Sequence, residues 1–336
     1  MTGVQTCALP SAGPAKYTFQ RINHKVFRDV AGLMENFQRV TAHLRAKLAA
    51  MPGREPERET LALVPTRVGA AFHLDAKGDP WRAYVYIDKA RTYDEVQSPE
   101  HACQAARTFA EFQQLLLDLP APPLNETIPD FHHTPKRFAK LAAAIAADAA
   151  GRAAQARPEI DFALAREKST ATVVDLLASG GIPGRVTHND TKINNVLINQ
   201  ADGRGLCVID LDTVMPGSVL YDFGDQVRTT TGTAAEDEQD LSKVNFRIDL
   251  FEALVKGYLS VGREFLEPSE IELLAFAGRL ITFEIGIRFL TDYLEGDVYF
   301  KVHKPNHNLY RARTQFEMVR QDRKSTRLNS SHGKLT

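Results

Sequence analysis

The chain changes character near residue 90, and this change constrains its fold more than any other feature. Before it, residues 17–22 alternate apolar and polar side chains with the period of a strand, residues 61–74 and 81–87 are two further predicted strands, and one amphipathic helix begins after Asp29. From Glu100 onward, apolar residues recur at helical spacing over long segments, which include a helix predicted over residues 160–179. This segregation predicts an α+β fold with a small N-terminal sheet lobe and a large, mainly helical C-terminal lobe.

Composition excludes several classes of partner. The 336 residues leave room for two lobes, each with a core, and 41 Lys and Arg nearly balance 42 Asp and Glu. That balance argues against a broad basic surface for nucleic acid or anionic lipid. The cysteines Cys7, Cys103 and Cys207 lack the spacing of metal ligands, and no apolar run is long enough to span a bilayer. We therefore expect a cytoplasmic protein whose partner is a small molecule, not nucleic acid or a membrane.

The segment VTHNDTKINNVL, residues 186–197, carries the most specific chemical signal. It places Asp190 two residues after His188 and Asn195 five residues after Asp190, the spacing of the catalytic loop of kinase-like phosphotransferases. Asp190 can accept a hydrogen bond from an attacking hydroxyl, and Asn195 can hold magnesium on a nucleotide. Lys192 is placed to offset charge on the transferred phosphoryl group, and His188 to support the loop.

A second motif follows at once, where the apolar run 206–209 ends in Asp210. A strand that delivers a carboxylate beside the first loop predicts the main magnesium ligand. The triplet Asp222-Phe223-Gly224 also spells a kinase metal motif, but a break at residues 216–218 precedes it and no apolar strand leads into it. Either motif alone is common on protein surfaces. Together and in this order, the loop and the strand indicate a kinase and favour Asp210 over Asp222.

At these motifs the sequence resembles the aminoglycoside phosphotransferase and choline kinase superfamily, which implies a protein-kinase-like two-lobe fold, ATP as the donor and Mg2+ as the metal. The strings THNDTKINNVLIN and CVIDLDTVMPGSVLYDFGDQVRT resemble the N-acetylhexosamine 1-kinase branch. Members of that branch phosphorylate the anomeric hydroxyl of N-acetylglucosamine or N-acetylgalactosamine. The resemblance implies that Asp190 is the catalytic aspartate and that Asn195 and Asp210 bind the metal. It also implies that Arg288 and Tyr299 contact the sugar.

Four further residues are candidates for nucleotide binding. Tyr86 and Asp88 lie in the stretch that would connect the two lobes, where we expect the adenine. Arg21, on the first strand of the lobe, stands where kinases place a phosphate-binding lysine. Glu35 on the following helix is its candidate partner.

The two ends of the chain resemble translated sequencing adapter, over residues 2–10 and 322–332. We therefore expect non-native tails at 1–11 and 322–336, an N-terminal nucleotide-binding lobe at 12–90, and a helical catalytic and substrate lobe at 91–321. In the family, a Gly-containing phosphate loop precedes the segment that matches YTFQRIN. Its absence here predicts that the lobe is truncated. We therefore expect the chain to bind ATP weakly or not at all.

The residues leave other functions open. The acceptor could instead be an aminoglycoside, choline, homoserine or methylthioribose, and acidic side chains that could recognise a cationic acceptor occur at Glu284, Asp292, Glu295 and Asp297. Arg288 could pair with Glu284 one turn earlier on its helix, and Tyr299 could be a core aromatic. A non-catalytic binding module, or an inactive fragment of a kinase, is the remaining alternative. The sequence does not indicate an oligomeric state.

Overall fold

The computed structural model describes the backbone of residues 6–10 and 16–330 and the side chains of residues 16–322. The chain divides into two compact units. The first comprises Met1–Pro129, Arg185–Val219 and Leu254–Phe265, and the second comprises Asp130–Gly184, Leu220–Ala253 and Leu266–Thr336. Both predicted motifs, the loop that carries Asp190 and the strand that ends in Asp210, therefore belong to the first unit.

The ten strands of the described residues all lie in the first unit and pair antiparallel in three sheets. The largest sheet contains β1 (Thr6–Pro10), β2 (Lys16–Arg21), β3 (Leu63–Val64), β4 (His73–Leu74) and β5 (Pro80–Val85). It has the order β1-β2-β5-β3, and β4 also pairs with β5. The other two sheets are formed by β6 (Ala90–Arg91), β8 (Val196–Asn199) and β9 (Gly205–Val208), and by β7 (Arg185–Thr187) with β10 (Met215–Gly217).

Helices make up most of the remaining chain, and most of them lie in the second unit. They are α1 (Val30–Ala49), α2 (Pro56–Glu59), α3 (Pro99–Leu115), α4 (Thr134–Ala147), α5 (Arg157–Leu164), α6 (Thr172–Ser179), α7 (Val219–Thr230), α8 (Ile248–Gly262), α9 (Pro268–Glu272), α10 (Leu274–Glu295) and α11 (His307–Ser330). Within the described residues, none has the length and apolar character that crossing a membrane requires. The small antiparallel sheet region and the larger helical part confirm the predicted α+β class.

The core of the first unit forms where α1 packs beside the large sheet. Asp29 caps this helix as predicted, because its carboxylate accepts from the Gly32 amide at 2.9 Å. One face of α1, including Leu33 and Phe37, is almost completely buried in the apolar cluster of this unit. Burial of a side chain of that size stabilises the fold by about 1.5–3 kcal/mol. The helix therefore holds the sheet that precedes the predicted catalytic segments.

In the second unit, α10 is buried on nearly all sides, and α4 and α11 pack against it. A glycine permits one of these contacts. A Cβ on Gly286 would lie 2.5 Å from the Phe316 ring on α11, a distance that side-chain atoms do not adopt. The ring fills the space over the glycine, so a larger residue at 286 would separate the two helices.

Two predicted elements are interrupted. The helix expected over residues 160–179 becomes α5 and α6 with a 3-10 turn between them, in which the Ser169 and Thr170 hydroxyls each donate to a backbone carbonyl at 2.7 Å. Such local bonds compete with the regular helical ladder. The strand expected over residues 61–74 keeps only β3 and β4, because a turn at Gly69, with φ 83°, separates them.

The chain's ends show regular structure that the sequence pattern did not indicate. Residues 6–10 form β1, with Cys7 opposite Phe19 of β2, and the backbone of α11 continues to Ser330. Residues 1–5, 11–15 and 331–336 lie outside the described residues. The non-native origin of the tails at 1–11 and 322–336, and the lobe boundary at residue 90, stay predictions.

Candidate active site

The loop between β7 and β8 carries the predicted catalytic segment, and its path depends on Asn189. This residue has a φ of 65°, in the left-handed region that Asn tolerates better than most residues. Its Nδ2 donates to the Thr213 carbonyl at 2.9 Å, and its Oδ1 accepts from the Thr187 hydroxyl at 3.1 Å. The turn leaves the next residue, Asp190, partly exposed, with 27% of its side chain accessible.

Asp190 contacts two of the other predicted site residues. The Lys192 ammonium lies 2.7 Å from its Oδ1. The Asn195 side chain donates from Nδ2 to the backbone carbonyl of Asp190 at 2.7 Å, and this nitrogen also lies 3.4 Å from Asp190 Oδ2. Because the amide nitrogen is committed to Asp190, Oδ1 is the atom of Asn195 that can face a cation. The structure brings these three residues together.

His188 is fully buried and links the two predicted segments. Its Nε2 donates to the Ile209 carbonyl at 2.9 Å, and its Nδ1 accepts from the Asp190 amide at 3.3 Å. The rings of Phe109 and Phe112 meet the imidazole edge-on. These contacts place His188 beneath the loop, where it acts on Asp190 through the backbone.

Asp210 follows β9, and the strand register fixes its place relative to the catalytic loop. Val196 of β8 pairs with Val208 of β9, and the Ile209 amide donates to the Asn195 carbonyl at 2.9 Å. Asp210 is therefore one residue beyond a direct backbone contact with Asn195. Its own backbone is left-handed, with φ 59° and ψ 56°, and leads the chain from the strand into a 3-10 turn.

Burial and two neighbouring carboxylates raise the pKa of Asp210 to about 6. Burial is the largest cause, and the charges of Asp212 and Asp190 add to it, while the Arg82 guanidinium acts in the opposite direction. A divalent cation relieves such an excess of negative charge. The Asp210 carboxylate and the amide oxygen in the catalytic loop are also the donors that Mg2+ prefers, so the residues present fit this metal.

Two charged residues of this region, Arg82 and Asp212, were not predicted from the sequence. Arg82 on β5 is 3% exposed, and its Nη1 lies 2.5 Å from Oδ1 of Asp212, which is 4% exposed. Two signals could have identified them. A charged residue at a core-facing position of a strand needs a buried partner, and the Asp-Leu-Asp spacing puts a second carboxylate two residues after Asp210.

Two of the nucleotide-binding candidates, Tyr86 and Asp88, lie together in the link between β5 and β6. Both side chains are exposed and both contact Lys16. The Lys16 ammonium is 2.9 Å from the Asp88 carboxylate and 5.5 Å from the centre of the Tyr86 ring. The link therefore presents an aromatic ring and a carboxylate next to each other.

The predicted pair of Arg21 and Glu35 does not form. Arg21 lies 3.0 Å from the Asp79 carboxylate, and the exposed Glu35 accepts from the Asn125 side chain at 3.1 Å. The reason is the alternation of β2, in which Gln20 is on the buried face and Arg21 is on the other. Arg21 thus lies on the face of β2 opposite to Gln20, where its partner is Asp79 and not Glu35.

The kinase-like triplet Asp222-Phe223-Gly224 lies in the first turns of α7, in the second unit. Asp222 and Phe223 are fully buried. A Cβ on Gly224 would lie 2.5 Å from the Ala277 carbonyl oxygen, so the glycine lets α7 and α10 approach closely. Helix packing explains the glycine of this triplet.

Arg288 and Tyr299 lie close together in the second unit, and Tyr299 is 67% exposed. The Arg288 guanidinium lies over the rings of Phe131 and Phe300, at 6.0 and 5.7 Å from their centres. Burial and the charge of Arg137 lower the pKa of Arg288 from its ordinary value. The two residues line one small pocket.

Glu284, the alternative partner of Arg288, is committed elsewhere. It is fully buried and accepts from His132 Nδ1 at 2.9 Å and from the Thr134 hydroxyl at 2.6 Å. Burial alone would raise the pKa of Glu284, but the His132 charge and these two hydrogen bonds bring it below its ordinary value. Both carboxylate oxygens of Glu284 therefore accept hydrogen bonds from residues other than Arg288.

Comparison with known families decides the class of this site. The sequence matches the model of the APH phosphotransferase enzyme family over residues 11–258, which is well over half of the chain. The chain belongs to this family. The matched range includes both motifs of the first unit, the loop with Asp190 and β9 with the Asp210 that follows it.

Solved structures share the fold of this phosphotransferase. An aminoglycoside phosphotransferase from Alicyclobacillus acidocaldarius has a TM-score of 0.62 at 15% identity, over 97% of this chain and 90% of that one. A microcompartment-associated aminopropanol kinase has a TM-score of 0.60 at 15% identity, over 99% and 95%. An amicoumacin kinase in complex with AMP-PNP, Ca2+ and Ami has a TM-score of 0.56 at 12% identity, over 94% and 88%.

These similarities confirm the predicted kinase-like fold, and with the family they identify the protein as an ATP-dependent small-molecule phosphotransferase. In its first unit, the phosphotransferase has a partly exposed carboxylate with an ammonium group beside it, and a second, half-buried carboxylate one residue beyond the backbone contact with Asn195. Such a set can position a hydroxyl and neutralise charge, which is most of what phosphoryl transfer requires of a protein.

Proposed function

We propose that this phosphotransferase transfers the γ-phosphoryl group of ATP to the anomeric hydroxyl of an N-acetylhexosamine, N-acetylglucosamine or N-acetylgalactosamine, and forms the sugar 1-phosphate. The observation that carries the acceptor assignment is the pocket of the second unit, where Arg288 and Tyr299 present hydrogen-bonding groups while the nearby carboxylates are committed to other partners. The string resemblance to the N-acetylhexosamine 1-kinase branch supports it.

In this proposal Asp190 accepts a hydrogen bond from the attacking hydroxyl and orients it. Lys192, 2.7 Å from Asp190, offsets charge on the phosphoryl group as it moves. A hemiacetal hydroxyl is more acidic than an ordinary alcohol, so a carboxylate is a sufficient base for it. His188 holds the loop in place from below and does not touch the acceptor.

Asp210 and the Oδ1 of Asn195 are the proposed magnesium ligands. Magnesium held there would neutralise the phosphate oxygens of the nucleotide. Tyr86 and Asp88 stay the proposed contacts of the adenine, because they lie in the exposed link between β5 and β6. Arg21 and Glu35 remain nucleotide candidates only as separate residues, since their pairing is absent.

The pocket offers little to a cationic acceptor, because its acidic residues are occupied. The carboxylate of Asp292 accepts from the backbone amides of Tyr299 and Phe300 at 2.7 and 2.9 Å, and from the Asn308 side chain at 2.8 Å. Asp292 therefore shapes the loop that carries Tyr299. An aminoglycoside or choline would have to displace these bonds.

The neighbouring acids are paired in the same way. Glu295 lies 2.9 Å from the Lys140 ammonium, and Asp297 lies 2.6 Å from the Arg152 guanidinium. Together with the committed Glu284, this leaves two arginines of the pocket, Arg288 and Arg137, as charged groups that are suited to a neutral acceptor. Their N–H groups can donate to an acetamido oxygen or to sugar hydroxyls.

A cytoplasmic location is part of the proposal. ATP is the donor, and Cys103 and Cys207 carry free thiols, as expected in a reducing compartment.

The test is ATP consumption by the full chain with a panel of acceptors, and with phosphorus NMR to locate the product phosphate. The panel contains N-acetylglucosamine, N-acetylgalactosamine, choline, homoserine, methylthioribose and an aminoglycoside. We expect turnover with an N-acetylhexosamine and a phosphate on its anomeric carbon. Turnover with choline or the aminoglycoside, and none with either hexosamine, would refute the acceptor assignment.

Arg288→Met tests the pocket directly. We expect it to lower kcat/KM for the sugar by about 10- to 100-fold, because a charged hydrogen bond to the acceptor is lost. Arg313→Met is the matched control, since it removes an arginine of the same unit that pairs with Glu159 at 2.9 Å. If the two variants lose activity equally, Arg288 has no special role in the acceptor pocket.

An inactive fragment would behave differently. Thermal unfolding with and without ATP and magnesium separates the cases, because a ligand at 100 times its Kd stabilises a folded protein by about 2.7 kcal/mol. A chain whose Tm does not respond to the nucleotide would be a kinase-like module without catalytic function.

A further inference from the structure

Arg82 is buried at a position where removal of its charge from water costs free energy. It lies on the buried face of β5, and its neighbours along the strand, Trp81 and Ala83, are on the other face. A guanidinium without water needs compensation by partners. The partners that it has indicate what it does.

Arg82 joins three elements of the first unit. Its Nη1 lies 2.5 Å from Asp212, in the turn after β9. Its Nε donates to the side-chain oxygen of Gln20 on β2 at 2.8 Å, and Nη2 donates to the same oxygen. The guanidinium carbon lies 4.9 Å from the centre of the Phe37 ring on α1. One side chain thus connects the sheet and the helix to the turn.

That turn presents Asp210 in a conformation that needs support. A non-glycine residue with a left-handed backbone persists where surrounding contacts hold it. Neutral contacts hold the turn from one side: Asn36 Nδ2 donates to the Val214 carbonyl at 3.1 Å, and the Thr213 hydroxyl donates to the His188 carbonyl at 2.6 Å. Arg82 adds a charged contact from the side of the sheet.

Stabilisation of the fold does not by itself explain the buried ion pair of Arg82 and Asp212. Replacement of a buried ion pair by apolar side chains is often neutral or stabilising, so a buried pair is better explained by what it orients. Asp212 is two residues from Asp210, and the Arg82 charge also acts on the Asp210 carboxylate.

We propose that Arg82 is a positioning residue of the metal site: by holding Asp212 it fixes the turn that aims the Asp210 carboxylate. This inference rests on the magnesium role given to Asp210 above. It predicts that loss of Arg82 weakens the binding of the magnesium–nucleotide complex and lowers kcat, while the acceptor KM is unchanged.

The experiment measures the affinity of the full chain for ADP by calorimetry, once with Mg2+ and once with EDTA. The ratio of the two is the gain from the metal. In Arg82→Met we expect this gain to shrink by about 10- to 100-fold, the usual effect of losing a group that orients a metal ligand. ADP affinity in EDTA should change by less than about twofold, because the proposed adenine contacts are untouched.

Arg54→Met is the matched control. Arg54 pairs with Glu59 and Glu111 in the same unit and is partly buried, with 29% of its side chain exposed. Its loss should lower the Tm and leave the metal gain intact. A purely structural role of Arg82 would make the two variants alike.

Two further variants keep the test decisive if Arg82→Met does not fold. Asp212→Asn removes the ion pair with little change of shape and should lose the same gain. Arg82→Lys keeps the charge, but a lysine cannot contact Gln20 and Asp212 at once through several N–H groups as the guanidinium does. This variant should therefore retain part of the Mg2+-dependent gain in ADP affinity. The double variant Arg82→Met/Asp212→Asn should lose no more than the worse single variant, because both act through one contact.

The outcomes separate this inference from the proposed function. If the unchanged chain gains nothing from Mg2+, the metal site fails and the role of Arg82 fails with it. Mg2+ could instead raise the ADP affinity of the unchanged chain, Arg82→Met and Asp212→Asn by the same factor. In that case the metal site stands and Arg82 is not a positioning residue. Additive losses in the double variant would also overturn the inference, since they would show that Asp212 acts without Arg82.

Discussion

Both units bury carboxylates, but they treat the negative charge in opposite ways. In the first unit, Asp210 is half-buried near the carboxylates of Asp212 and Asp190, of which Asp212 is buried, and its pKa rises to about 6. In the second unit, Glu284 is buried more completely, yet the His132 charge and the hydrogen bonds from His132 and Thr134 bring its pKa below the ordinary value. One acid keeps an excess of negative neighbours, and the other is neutralised within the protein.

The difference shows that burial of an acid does not by itself indicate a functional site. The balance of charge around it does: a carboxylate with negative neighbours is suited to an incoming cation, whereas one with its own histidine and hydroxyl is part of the framework.

The largest effect is expected at the catalytic loop. Asp190→Asn keeps the shape of the side chain but removes its ability to take up the acceptor proton, so kcat should fall by about 10²- to 10⁴-fold. Circular dichroism and ADP affinity should stay near those of the unchanged chain. Asp161→Asn, on the exposed surface of α5, is the control. Near-normal turnover of Asp190→Asn would remove Asp190 from the mechanism.

The two candidate metal aspartates come next. Asp210→Asn should lower the Mg2+-dependent gain in nucleotide affinity by at least about 100-fold, because a direct ligand matters more than the outer groups that orient it. Asp222→Asn should keep the gain, although burial of the altered side chain in α7 should lower the Tm. Calorimetry with Mg2+ and with EDTA measures both. The reverse pattern would make the second-unit triplet the metal motif.

The two buried acids should give opposite pH dependence of stability without ligand. The folded pKa of Asp210, about 6, lies above its unfolded value of about 4, so the folded state keeps the proton longer. Its contribution to stability therefore falls as pH rises from about 4 to 6, by at most about 3 kcal/mol. For Glu284 the folded pKa is lowered, so its contribution is present above the unfolded pKa and is lost as pH falls.

Urea unfolding of the unchanged chain, Asp210→Asn and Glu284→Gln over pH 4–7 isolates these two contributions by difference. The stability that the chain loses through Asp210→Asn should decrease with rising pH. The stability that it loses through Glu284→Gln should increase where Glu284 ionises. Slopes of the same sign would contradict the comparison of the two units.

The smallest effect is expected at the exposed acid of the second unit. The Glu295–Lys140 pair leaves 29% and 55% of its side chains accessible, so Glu295→Gln should change stability by less than about 1 kcal/mol. The KM of the acceptor should be unchanged if the acceptor is neutral. A marked rise in KM would instead indicate that Glu295 recognises a cationic group, as an aminoglycoside or choline kinase would require.

The sequence was sufficient for features whose partners are close along the chain. The spacing of Asp190, Lys192 and Asn195 lies within one loop, and the strand that ends in Asp210 follows it directly, so these groups meet without long-range information. The cap at Asp29 is equally local. The class of fold followed from the segregation of strand and helix periods.

What the sequence did not give depended on contacts between distant segments. Arg82 and Asp212 meet although they are 130 positions apart along the chain, and only the strand alternation of β5 indicates that Arg82 is inside. Arg21 and Glu35 were expected to pair because Arg21 stands where kinases place a phosphate-binding lysine and Glu35 lies on the following helix. Their faces are set by the sheet register instead, and they point to different neighbours.

The left-handed backbone at Asn189 and Asp210 limits how this chain can vary. Glycine would suit the backbone at either position but would delete a side chain that is in use, and a β-branched residue would strain the turn. A short polar side chain that tolerates positive φ is needed, which leaves asparagine and aspartate. A gene library randomised at these two sites should therefore return working clones from only a handful of codons.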